Sequence, residues 1–131
     1  MSFSSEDQQK YKALYLQTAR QYVKELQDNL HQLSLGNETS EVIDTLHRAA
    51  HSLKGQSEMM GYHVVGSVCA LLETIFRSEK ENKLSLTSEI VQKLTIAVQA
   101  LEVCVEQVDK NNKEIDMAEY IKSLQSVSIP S

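Results

Sequence analysis

The chain has 131 residues, 41% hydrophobic and 24% charged, which suits one domain with its own core and excludes a disordered tail or a fibre. Four glycines and one proline are too few breakers for the many turns of an all-β sandwich, or for a Gly-rich nucleotide cradle. Thirteen Lys plus Arg against eighteen Asp plus Glu give a formal net charge of −5, which argues against a general attraction to nucleic acid or an anionic membrane.

The first predicted helix, about 6–33, carries Tyr15, Ala19, Tyr22, Leu26, Leu30 and Leu33 at steps of three and four, the spacing of one apolar helical face. Gly36 is placed to end it. Thr39 suits the N-cap of a second helix, about 40–60. Its stripe is Ile43, Leu46, Ala50, Leu53, Ser57 and Met60, and Gly61 terminates it. A third helix, about 63–79, uses Val65, Val68, Leu72 and Ile75. Thr87-Ser88-Glu89 repeats the Thr39-Ser40-Glu41 opening and starts a fourth, about 88–108. A short fifth helix is expected at 116–125, with a frayed tail at 126–131.

Together these elements predict an all-α fold: an antiparallel up-down four-helix bundle with a short additional C-terminal helix, residues 1–131 forming a single domain. The N-terminus lacks the charged and apolar regions of a signal peptide. The longest stretch without a charged residue, Met59 to Leu72, is too short and polar to cross a bilayer. The chain is read as a soluble cytoplasmic monomer. Cys69 and Cys104 are expected to be buried thiols in a reducing compartment, a disulfide being the alternative. The Met59-Met60 pair is read as core.

The chemistry concentrates on the second helix. His51 lies about 130° from the centre of its apolar stripe and should face solvent. Lys54 sits one turn on to one side and Gly55 to the other, so a cation and a bare backbone patch flank an exposed imidazole. A neutral imidazole nitrogen is a competent nucleophile, a lysine offsets phosphoryl charge, and a mid-helix glycine costs about 1 kcal/mol against alanine and so invites a functional reason. His47 and His51 are spaced i, i+4, which also suits a metal clamp, but the chain has neither a His-Glu-x-x-His run nor a Glu-x-x-His pair. No metal or other cofactor is expected.

The run His51-Ser52-Leu53-Lys54-Gly55-Gln56-Ser57, closed by Met60-Gly61-Tyr62, resembles the signature of the histidine phosphotransfer (HPt) domain. Arg48-Ala49-Ala50 before it sharpens the likeness toward the N-terminal phosphotransfer domain of CheA-type chemotaxis kinases. The resemblance covers nearly the whole chain. It implies that His51 is phosphorylated, that Lys54 offsets phosphate charge, and that Glu73, one helix later, orients the imidazole. Independently, Glu73 lies at the edge of the Val65/Val68/Leu72 stripe, facing a neighbouring helix. A carboxylate accepting from Nδ1–H fixes the tautomer and leaves Nε2 as the nucleophile; a plain surface carboxylate is the alternative reading. Ala70 stands where the family often has a second histidine, which implies a smaller hydrogen-bond network.

The resemblance further implies two partners: a histidine kinase's ATP-binding catalytic domain as donor and a response-regulator receiver domain as acceptor. Gly55, His47, Gln56 and Glu58 are assigned to partner contact, with ordinary solvent exposure the competing reading for Gln56 and for Arg48. Ser57, on the inner stripe, is assigned to close packing rather than chemistry. No Walker A run or kinase Gly-rich loop is present, so the chain is expected to act as a phosphocarrier, its donor lying in a longer parent or a separate kinase. A non-phosphorylated adaptor bundle and a metal-binding bundle are the alternatives.

Overall fold

The computed structural model describes residues 4–127, and among these all regular structure is helical. The helices are α1 (Ser5–Ser34), α2 (Ser40–Met59), α3 (His63–Lys80), α4 (Ser88–Asn111) and α5 (Ala118–Gln125). The starts of α1, α2 and α4 are set by capping hydroxyls. Ser4, Thr39 and Thr87 accept from the N–H groups of Asp7, Val42 and Ile90, each satisfying one donor that the first turn leaves unpaired.

Gly61 ends α2 at φ +83, where an L side chain would be strained. There its own N–H donates to Glu58 O and that of Tyr62 to Ser57 O at 2.8 Å, a closure of the Schellman type. Asn112, left-handed at φ 56, ends α4 with its own N–H on Val108 O at 3.0 Å. This is why α4 runs to Asn111 rather than stopping near 108: the polar residues after Val108 continue the helix until a left-handed asparagine breaks it. Helix α5 begins at Ala118 rather than 116: Met117 is its N-cap, and Asp116 accepts the Ala118 N–H at 2.9 Å in the turn before it. Residue 127, expected within the frayed tail, is packed instead. Val127 is buried at 8% exposure and donates to Leu124 O, while 128–131 lie outside the described residues.

Cross-helix pairs fix the topology. Asp44 with Lys80, His51 with Glu73 and Glu58 with His63 run in opposite senses along α2 and α3. On the other side of the bundle, Arg20 of α1 grips Glu106 and Asp109 of α4 at 2.8–2.9 Å, and Lys12 reaches the Asp109 carbonyl further along. Both pairs of helices are antiparallel. The apolar stripes, including Leu26, Leu46, Leu53, Leu72, Phe76, Leu94 and Leu101, meet at zero exposure in one core. Truncating a leucine packed in this way costs about 2–5 kcal/mol. Helix α5 closes the α3–α4 side through Met117 and Leu124.

Two polar features hold the end of the bundle near the α2–α3 turn. Tyr15 and Ser57, both buried, share a hydrogen bond of 2.8 Å between α1 and α2. Burial pushes the Tyr15 phenol well above its ordinary range, so it stays protonated in that bond. Glu114, after α4, accepts the Val65 N–H at 2.7 Å and caps the start of α3. Cys69 and Cys104 are both free and buried. Met59, read as core, is instead 86% exposed, because it lies off the stripe through Ser57 and Met60 in the last turn of α2. No helix among the described residues is long and apolar enough to cross a membrane.

Candidate functional site

Helix α2 carries His51 on its outer face while Ala50 and Leu53 beside it anchor the core. The imidazole is 65% exposed. From α3, Glu73 points back at it: the carboxylate is only 5% exposed, and its Oε2 pairs with His51 Nδ1. Its other oxygen, Oε1, accepts from Lys54 Nζ at 2.6 Å. His51, Lys54 and Glu73 therefore meet in one cluster, as the sequence led us to expect.

Burial alone pushes the Glu73 carboxyl up, but the hydrogen bonds from Lys54 and His51 and the attraction of those groups outweigh it. The net result lies below the ordinary carboxylate range. Glu73 is thus an ionised acceptor at neutral pH, and an acceptor at Nδ1 requires the proton to sit on that nitrogen. In the neutral ring the lone pair is then left on Nε2, the nitrogen away from Glu73. An exposed imidazole with its inner nitrogen fixed and its outer one unprotonated is arranged for nucleophilic attack.

Gly55 lies one turn beyond His51 and is exposed, and a Cβ added there would meet nothing within 4 Å. Neither internal packing nor a positive φ requires the glycine, so the open surface beside the imidazole is its structural consequence. Gln56 is half-buried and Arg48 exposed. Glu58 is engaged with His63 at 2.8 Å and lies over Gly66. Gly66 therefore seats the Glu58 side chain at the start of α3 and stands apart from the cluster. His47 does not join His51 on a common ligand. Its Nε2 is buried without a hydrogen-bond partner. Burial, then the charge of Lys80, pushes its pKa below the ordinary imidazole value.

One member of the cluster was missed in the sequence. Arg77 lies one turn after Glu73 on α3, its guanidinium 3.4 Å from Oε1. The i, i+4 spacing of a Glu and an Arg was the available signal.

A helical bundle that presents a solvent-facing histidine, buttressed from the next helix by a buried carboxylate, is the arrangement a phosphotransfer module uses. Residues 10–110 match the family model described as "Hpt domain", and the chain belongs to that family. Among curated proteins it is similar to the chemotaxis protein CheA of Listeria monocytogenes, 24% identical over 118 residues that cover 89% of this chain and 19% of the relative. It is also similar to CheA of Bacillus subtilis, 25% identical over 119 residues, 90% of this chain and 18% of the relative. The chain thus spans about a fifth of the length of these relatives. Among solved structures, the phosphorylated P1 domain of CheA3 in complex with CheY6 from R. sphaeroides superimposes with a TM-score of 0.83. It is 24% identical, and the match covers 89% of this chain and 94% of that one. The expected helical bundle and the CheA-type likeness of the His51 run both stand.

Proposed function

We propose that this chain, as a single domain over 1–131, is the phosphocarrier of a chemotaxis-type two-component system. His51 Nε2 takes a phosphoryl group from ATP held by a histidine kinase's catalytic domain. It then passes the group to an aspartate of a response-regulator receiver. The observation that carries this reading is the exposed His51 ring held through Nδ1 by the buried, ionised Glu73.

The chemistry balances without a base. In the first step the bond between the γ-phosphorus and its bridging oxygen breaks and ADP leaves with the electron pair. The Nε2 lone pair forms the new N–P bond while Nδ1 keeps its proton. In the second step the N–P bond breaks, its electron pair returns to Nε2, and a carboxylate oxygen of the receiver forms an acyl phosphate. Transfer of this kind depends on positioning and charge offset. Glu73 offsets the positive charge gained by the ring, and Lys54 offsets the phosphoryl oxygens.

Gly55 supplies the flat approach for a partner, with Gln56, Glu58 and His47 around it as contact residues. The reading includes a monomeric carrier working in the cytoplasm, with no nucleic acid or membrane as partner. The test is a relay in solution. Incubated with a CheA-type catalytic region and labelled ATP, the chain should acquire acid-labile, base-stable phosphate, and an added receiver domain should remove it. Binding to either partner without label ever reaching the chain would favour an adaptor instead.

A further inference from the structure

Glu73 answers to three groups on two helices. Its Oε2 is taken by His51. Its Oε1 accepts from Lys54 at 2.6 Å and has the Arg77 guanidinium at 3.4 Å, an ion-pair separation just outside a good hydrogen bond. An ionised carboxylate with 5% exposure depends on a cation staying beside it. Lys54 approaches from α2 and Arg77 from α3, so the same oxygen is served from two independent scaffolds. Lys80, the next cation along α3, is paired with Asp44 at 3.0 Å.

The two cations are not equivalent. Lys54 shares its helix with His51 and carries a compact ammonium on a flexible stem. Because Nε2 lies across the ring from Nδ1, an ammonium that turns to a phosphoryl group on Nε2 leaves Oε1. Arg77 is tied to Glu73 by the i, i+4 spacing of α3, with the acid N-terminal to the base as a helix favours. Its side chain is 49% exposed and free to close the remaining gap.

We propose that Arg77 is a positioning residue for His51: it takes over Oε1 when Lys54 turns to the phosphoryl group. Glu73 then stays ionised and holds the Nδ1 proton through the whole transfer. The occasion for the exchange rests on the phosphotransfer reading, but the exchange itself can be forced without phosphate by removing Lys54.

The test is ring 15N NMR of His51 at pH 8 on the unphosphorylated full chain, in four forms: parent, Lys54→Ala, Arg77→Ala and the double variant. Either cation alone should preserve the Nδ1–H tautomer, so each single variant should match the parent. In the double variant the ratio of Nδ1–H to Nε2–H should fall at least about threefold. Arg77→Lys in the Lys54→Ala background should keep the parental ratio. Loss of the tautomer in Lys54→Ala alone, or its survival in the double variant, would overturn the proposal. Both substitutions sit on partly exposed side chains, and circular dichroism checks that the bundle is retained. Labelling by phosphoramidate is a separate arm. A parent that takes no label on His51 would sink the phosphotransfer reading while leaving the tautomer result to judge Arg77.

Discussion

Glu73 and His51 form a pair of opposite character: a carboxylate with 5% exposure on α3 fixes an imidazole with 65% exposure on α2. The buried partner supplies order and the exposed partner supplies reach. A reactive nitrogen on a free surface side chain would sample many orientations. Here one hydrogen bond sets both the tautomer and the direction in which Nε2 presents its lone pair.

Glu73→Gln is nearly isosteric and removes the charge. It should lower the rate of His51 phosphorylation at least about tenfold, equivalent to about 1.4 kcal/mol of barrier. Timed labelling with a fixed donor measures it, and an unchanged rate would reduce Glu73 to a structural residue.

Gly55→Ala separates stability from docking. The added Cβ meets nothing within the chain, so the helix should gain up to about 1 kcal/mol, read as a higher urea midpoint. Transfer to a receiver domain should slow, while labelling by phosphoramidate, a donor too small to need the surface, should not. Equal slowing with both would place the effect on the imidazole itself.

The bundle and the face that carries His51 were legible in the sequence for a plain reason. Apolar residues at steps of three and four fix the inner face of each helix, and His51 falls opposite that face. Thr39, Thr87, Gly36 and Gly61 mark helix ends through chemistry that is local to a few residues. What stayed hidden depends on two elements meeting. Ser57 looked like a small packing residue because its partner, Tyr15, is far away in the chain. Arg77 was one turn from Glu73, but its value appears only once Lys54 arrives at the same oxygen from α2. Met59 misled because a methionine in the last turn of a helix keeps its hydrophobicity while losing its neighbours. Gly66 gave no signal of its own, because the side chain it accommodates, that of Glu58, comes from another helix.

The Tyr15–Ser57 bond should count as a buried pair. Ser57→Ala leaves the phenol without its partner and should cost about 1–3 kcal/mol in urea unfolding. The double variant Tyr15→Phe/Ser57→Ala should cost less than the sum of the two single changes. Strict additivity would mean that the hydroxyls do not interact.

Acid should weaken the fold in two stages. His47 has a folded pKa below its ordinary 6.5, so the unfolded chain binds its proton first. Its contribution is complete above 6.5 and is lost as pH falls from there through the folded value. Glu73, held below its ordinary 4.5, contributes above 4.5 and loses that contribution as pH falls through its own folded value. His47→Leu should therefore flatten the stability profile just below 6.5, and Glu73→Gln should flatten it below 4.5. Urea midpoints across pH measure both, and a His47→Leu profile as steep as the parent's would exclude His47.

Phosphotransfer through His51 requires phosphate to bond to Nε2 while Nδ1 keeps its proton against Glu73. Combined 31P and ring 15N NMR of the phosphoramidate-labelled chain tests it most directly. One phosphorus signal coupled to Nε2 of His51 is expected, with a protonated Nδ1 on the same ring and no such signal in His51→Gln, which should keep the parental helical spectrum. Phosphorus on Nδ1, or on His31, His47 or His63 with His51→Gln labelled as well as the parent, would contradict it.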